Sequence, residues 1–456
     1  YPRLYLARTL LKDDGVIFIS IDDNEAAHLR ELCDLVFGGE NFVANIMWQK
    51  RTSPDGRLNL GPAHDHIFMY AKNIEAAKET FNKLPLSDDR RADYRNQDND
   101  PNGPWASADI TGQTGHATTS QFYEITTPSG KTYSPPEGRC WALAERTFKG
   151  LVDDGKIWFG NNGDSRPRLK NYLSESTGVN AWTWWPNTEV GHNQEGTKEV
   201  KELLGAGDIF DNPKPTRLLK RILHIATQED DLILDFFSGS GPTAHAVMAL
   251  NAEDGGNRRF IAVQLPEPCE EKSEAFKAGY ATIADIGKER MRRAGAKIKA
   301  EGEGELDLGG GKDVDVGFKV FKLDRSTILP RNVTVDDADD EGEFLDQHAL
   351  HFVGQARECD VLYELLLKSG FPLETPIDVV TMAGKEVYSI EDGALLICLE
   401  KEITTELIDT MAASDPLEVI CLDEGFQNND QLKTNTVQAF KCRARSKETQ
   451  IVFKTV

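Results

Sequence analysis

At 456 residues and 39% hydrophobic content the chain exceeds what one core organises, so a globular protein of about two to four domains is expected. It has no apolar run of about 18 residues and no charged-then-apolar leader, which argues against a membrane span or a secretory signal and for a cytoplasmic protein with no membrane partner. The net charge of −23 divides as −6 over residues 1–300 and −17 over 301–456, so the acidity does not exclude a nucleic-acid partner for the front part.

In chain order, Tyr1 to Leu11 is an amphipathic helical pattern already under way, without an initial methionine, and further sequence upstream is expected. The β-branched run Val16 to Ile21, bounded by acidic turn residues, predicts a central parallel strand. A capped helix from about Asp23 to Phe37 follows, then strands near Ile46 to Gln49 and Ile67 to Ala71, so 1–84 reads as half of an α/β sheet. Asp22, Asp23 and Asn24 could form an acid/base cluster, although capping of the helix before Glu25 explains Asp23 or Asn24 more simply. His64 and His66 alternate on one strand face; without a carboxylate or thiol partner they are read as structural, and no metal is expected. Seven cysteines (33, 140, 269, 359, 398, 421 and 442) form no CxxC pair, which also speaks against zinc or disulfides. Lys50, Arg51 and Arg57 surround a Ser-Pro-Asp-Gly turn suited to phosphate contact, while Arg166, Arg168 and Lys170, like Arg290, Arg292 and Arg293, are basic groups open to a solvated-face reading.

Between 85 and 200 the periodicity gives way to Asn, Asp, Gly, Pro and tryptophans, which predicts an irregular insert with a small core and a recognition surface. Trp182, Trp184 and Trp185 could stack on nucleic acid or fill that core. The sheet pattern returns over 201–300 with a helix Thr216 to Ala226, the strand Leu232 to Asp235, a glycine turn, a helix from Pro242 to Leu250 and a strand Arg259 to Leu265; one sheet interrupted by the insert is expected. An acidic linker around a short strand (301–345) leads to a small C-terminal α/β domain (346–456) with helices Asp360 to Lys368 and Thr404 to Ala413 and strands Ala394 to Leu399 and Leu417 to Leu422.

The most informative stretch is Leu232 to Gly241 (LILDFFSGSG), a strand entering a glycine turn before a helix. It places a nucleotide-type ligand at the carboxyl edge of a parallel sheet, where missing Cβ atoms admit the ligand. Gly239-x-Gly241-x-x-Ala244 also fits a dinucleotide fingerprint, so an NAD-dependent oxidoreductase is the rival; it would need an acidic ribose ligand about 20 residues beyond the glycines, for which Glu267 is marginal.

With GVIFISIDDNE (15–25), HDHIFMYAKN (64–73), NPKPTRLLKRIL (212–223), DFFSGSG (235–241), TIADIGKERMRR (282–293) and DEGFQNNDQLKTN (423–435) in this order, the chain resembles the modification subunits of type III restriction-modification systems, which are β-class adenine-specific DNA methyltransferases. The resemblance implies an S-adenosylmethionine-dependent, Rossmann-like methyltransferase sheet: a catalytic half at 1–84, a target-recognition insert at 85–200 and a cofactor-binding half at 201–300. It implies methyl transfer to N6 of an adenine extruded from double-stranded DNA. N4 of cytosine stays open as the target. By resemblance Phe237, Ser238, Gly239 and Gly241 line the cofactor with Asp235 organising the turn, and Asn212, Lys214, Pro215 and Thr216 form the other wall. The place of the family's acidic ribose ligand falls on Gln264, with Glu267 three residues on. Ser20 and Asp22 would border the target-base pocket. The family's Asp-Pro-Pro-Tyr loop is absent from the 456 residues, and Ser134-Pro135-Pro136-Glu137 is read as a loop; the loop is expected upstream, and this chain alone should hold cofactor weakly without methylating. A homodimer joined by a helicase-nuclease restriction subunit is expected, with 346–456 in assembly; a non-catalytic specificity subunit is the third reading.

Overall fold

The computed structural model describes residues 1–54, 59–205, 209–304, 314–327, 357–427, 429–446 and 451–456, and divides into two compact units, Tyr1–Gly317 and Phe318–Val456. The front sheet of the first unit has four strands in the order Val16–Ile21, His64–Ala71, Phe42–Gln49, Trp184–Trp185. His64–Ala71 is its buried centre, paired antiparallel on both sides. Val16–Ile21 was expected to be a central parallel strand; here it is an antiparallel edge with mostly half-buried residues. A β-branched run reports burial on two faces but not strand direction, and the centre is the run from Ile67, which is buried through Ala71.

The pair Trp184–Trp185 lies parallel to Met47–Trp48, so the end of the expected insert belongs to the front sheet. Trp48 and Trp185 are fully buried with Ile46, Ile67 and Val190 against the helix Thr216–Ala226. Between them the chain builds a three-stranded sheet (Trp105–Asp109, Arg168–Tyr172, Ile157–Trp158) and two short antiparallel strand pairs around Ile110, Ile125, Trp141 and Phe148. Lys170, a candidate surface cation, is buried there between Asp98 at 2.6 Å and Asp100 at 2.5 Å. Alternation puts it on one strand face with Arg168, which is exposed, and Tyr172, which is buried, so the solvated-face reading fails for Lys170 alone of the two strand cations.

Leu232–Asp235 and Arg259–Ala262 pair in parallel as a separate two-stranded sheet. Among the described residues no strand pairing joins it to the front sheet, so the single interrupted sheet expected from the sequence is two. Ile233 and Phe260 pack onto the helices Thr216–Ala226 and Pro242–Asp254, while Leu232, Leu234 and Ile261 on the other face are half-exposed. The helix Ile283–Gly304 runs past residue 301, where a linker was expected to begin.

In the second unit a five-stranded sheet (Ile377–Met382, Lys385–Ile390, Leu395–Cys398, Glu418–Cys421, Val452–Thr455) is covered by Glu358–Lys368 on one face and Thr405–Ala413 with Phe440 on the other. Residues 314–327 contain no strand, and most of the expected 301–345 linker lies outside the described residues. No described helix is long and apolar enough to cross a membrane.

Candidate functional site: a braced glycine turn

The turn after Leu232–Asp235 is fixed from three sides. Asp235 accepts from the Phe237 N–H at 3.1 Å and from the Thr243 hydroxyl at 2.5 Å, tying strand to helix across the loop. The Ser238 N–H donates to the Val263 carbonyl at 3.2 Å, and the Gly239 N–H donates to Gln264 Oε1 at 2.8 Å. Gly239 has φ +52°, which favours glycine, and a Cβ there would press on the Phe210 ring at 3.0 Å. Gly241, also left-handed, caps the helix Pro242–Asp254, whose proline suits the first turn. Phe237 stands 68% exposed at the mouth of the turn, with the Arg3 guanidinium 5.6 Å from its ring centroid.

Beneath the turn lies a buried polar network. Arg290, fully buried, donates to Ser240 Oγ at 3.1 Å and to Glu199 Oε2 at 3.2 Å. Glu199 accepts from the Thr216 N–H at 3.1 Å and its hydroxyl at 2.7 Å, placing a carboxylate at the N-terminus of Thr216–Ala226, where the helix dipole favours it. Burial pushes the Glu199 carboxyl up and the Arg290 guanidinium down to about 10, so the guanidinium stays charged at neutral pH. His245, 3.3 Å from the Thr216 hydroxyl, is pushed down to about 3 by burial and by Arg290, and is neutral at neutral pH. Arg290 was a candidate surface cation; it is instead the strut that connects the turn to the opposite wall.

That wall is Asn212 to Thr216. Asn212 is left-handed (φ +49°) and accepts from Asn193 Nδ2 at 3.4 Å. Gly196, on the helix Asn193–Leu204, lets this segment close in, since a Cβ would lie 2.1 Å from the Pro213 carbonyl oxygen. Lys214 Nζ donates to Asp65 Oδ2 at 3.0 Å over the Trp48 ring, and burial lowers its pKa. Lys50 donates to the other Asp65 oxygen at 2.5 Å and is 15% exposed, so it is an internal ion-pair partner rather than the open phosphate contact expected. Arg51 is exposed beside it, its carbonyl accepting from Asn187, and Arg57 lies outside the described residues.

Gln264 is half-buried and engaged with Gly239; Glu267 is exposed. Ser20 and Asp22 are both exposed at the end of Val16–Ile21, with Asp22 accepting from the Asn24 backbone at 3.1 Å. Capping by Asp23 or Asn24 does not occur: the helix starts at Ala26 after Glu25 with no side-chain cap. Asp23 turns instead to His66, 2.8 Å away, and so supplies the carboxylate that the histidines lacked in sequence. Trp185 is core, whereas Trp182 and Trp184 are 72% and 51% exposed.

Sequence reasoning missed Asp65, Glu199, Thr243 and the inward role of Arg290. Asp65 and Arg290 sit inside stretches singled out above, but their partners Lys214 and Glu199 lie 149 and 91 residues away, beyond any local pattern. The geometry is a glycine turn fixed by internal hydrogen bonds, with Phe237 exposed, and tied by buried charge to the facing wall.

The family model described as DNA methylase matches residues 1–274. The StyLTI Mod subunit of the type III restriction-modification enzyme of Salmonella typhimurium is 39% identical over 74% of this chain and 49% of its own length. The EcoP15I Mod subunit of Escherichia coli is 29% identical over 99% of this chain and 71% of its own, and the type II methyltransferase M.KpnI of Klebsiella pneumoniae 30% identical over 64% and 72%. The chain thus spans about half the length of the first of these relatives. With the matched segment running through the braced turn and its facing wall, the chain belongs to the DNA methylase family.

Proposed function

We propose that the chain is part of a type III modification subunit that takes the methyl group of S-adenosylmethionine to N6 of adenine in a specific DNA sequence. The observation that carries this reading is the turn Asp235 to Gly241, braced against Asn212 to Thr216 by Glu199 and Arg290. S-adenosylmethionine supplies a methyl group already activated on a sulfonium, so the protein's work is chiefly position. Phe237, Ser238 and Gly239 line its amino-acid end, and Gly241 lets the turn close against Gly287 of the helix Ile283–Gly304. Gln264 is engaged with Gly239, which leaves the exposed Glu267 carboxylate for the ribose hydroxyls. Thr216 and Pro215 form the far wall, while Lys214 acts through Asp65, fixing that wall to the front sheet rather than meeting the ligand as a free cation. Ser20 and Asp22 border the target base.

Double-stranded DNA is the substrate, read by the insert with Arg51 and the exposed Trp182 and Trp184 at its margin; a second copy and a restriction subunit are the partners. No Asp-Pro-Pro-Tyr occurs in the 456 residues, so these residues bind the donor without transferring its methyl. The test is transfer of labelled methyl to DNA, with nucleoside analysis, by this chain and by a longer form carrying that motif. N6-methyladenine from the longer form alone is expected. Transfer by the 456 residues would contradict the reading, and N4-methylcytosine would reassign the target.

A further inference from the structure

We propose that Asp23, His64 and His66 form a binding site for a divalent transition-metal ion of the zinc, cobalt and nickel class. Each offers a ligand atom, and the three atoms lie within 4.8 Å of one another. His66 Nε2 is 2.8 Å from Asp23 Oδ1 and His64 Nε2 is 3.8 Å from the same oxygen. Two imidazoles and one carboxylate with open positions are a set that suits borderline divalent ions, and the two spacings from Asp23, 2.8 and 3.8 Å, bracket the roughly 3.3 Å between ligand atoms that a tetrahedral ion at about 2.0–2.1 Å requires.

Two further features point to a cation. His66 Nδ1 lies 3.1 Å from Asn45 Oδ1, so a ring N–H donated there fixes the tautomer that leaves the Nε2 lone pair facing the carboxylate. A lone pair and a carboxylate at 2.8 Å require a positive species between them, a metal ion or a proton. Lys50, whose charge reaches Asp23, is drawn to Asp65 at 2.5 Å, a carboxylate that it shares with Lys214, so one net positive charge remains on that cluster and sets a ceiling on affinity. The histidines are 28% and 16% exposed and Asp23 56%, so the site is held by the sheet and open to solvent. Its place is the end of Val16–Ile21 opposite the start of His64–Ala71, where Ile21 pairs with His66. An ion here would clamp the Asp22 to Asn24 turn to the strand that carries Asp65, and so stiffen the edge beside Ser20 and Asp22.

The experiment is titration of the metal-free, untagged protein with Zn²⁺ and Co²⁺. Binding is followed by indicator competition and by the visible absorption of cobalt, in a Cys359→Ser/Cys442→Ser background, because those two thiols are exposed. One equivalent is expected, with a nitrogen–oxygen cobalt spectrum. It should be lost in Asp23→Asn and His64→Gln and weakened roughly tenfold in Asn45→Ala. Asp23→Asn alters an exposed side chain, and melting without metal verifies that the fold survives. A spectrum unchanged by Asp23→Asn or His64→Gln would overturn the site. So would no binding at all, leaving a proton-bridged Asp23–His66 pair as the whole content of the cluster.

Discussion

At the scale of single residues, Gly239 and His245 show how tightly the turn is specified. Alanine at 239 would adopt a left-handed backbone at a cost of roughly 1–2 kcal/mol and press on Phe210. Gly239→Ala should therefore lower the melting temperature by a few degrees and weaken S-adenosylmethionine binding, measured together by thermal shift with and without ligand; an unchanged ligand-induced shift would remove the turn from the site. The His245 imidazole makes a pH prediction. Its pKa is lowered from 6.5 to about 3, so between these values the unfolded chain binds the proton and the folded chain does not. Stability carried by this group is present above pH 6.5 and falls as the pH drops toward 3. Denaturant unfolding at pH 7 and pH 5 should show that loss, and His245→Gln should make the dependence shallower; equal slopes would refute it. Gly239 is legible from its motif, but the contact with Phe210 and the burial of His245 beside Arg290 arise only in the tertiary fold.

At the scale of elements, legibility followed local signals. Thr216–Ala226 was read to the residue because a proline precedes it and its apolar spacing is strong. The hairpin Ile377–Met382 with Lys385–Ile390 was not read, because its two-residue turn is Ala383-Gly384 with both φ positive. An alanine in that conformation carries none of the Asn-Gly or Asp-Gly signal of such turns. Strand direction in the front sheet was equally invisible, since pairing depends on which distant strand comes alongside. The tryptophan cluster divides by element: Trp185 pairs with Trp48 in the front sheet and its indole donates to the Trp182 carbonyl at 2.7 Å, while the Trp182 side chain is exposed in the loop before it. Trp185→Ala should cost roughly 3–5 kcal/mol. Trp182→Ala should stay within about 0.5 kcal/mol in stability while weakening DNA binding. Chemical denaturation of both variants, with DNA titration of the second, checks this; a large loss of stability at Trp182 would make it a core residue.

At the scale of the whole molecule, most of the net negative charge falls in the last third of the chain, and the chain divides into two compact units. The second unit holds two complete apolar clusters around its own sheet. Phe318–Val456 expressed alone should unfold cooperatively, and a featureless denaturation curve would show that it depends on the first unit. The proposed assembly role of residues 346–456 is separate: deleting them from the longer form should abolish association with the restriction subunit, and an intact complex would refute that role. The most direct measurement is calorimetric titration of the purified chain with S-adenosylmethionine and with NAD. One equivalent of S-adenosylmethionine should bind, with affinity reduced roughly tenfold by Glu267→Gln, as loss of a charged hydrogen bond implies, and with no heat from NAD. Binding of NAD in its place, or S-adenosylmethionine binding untouched by Gly239→Ala, would contradict the account.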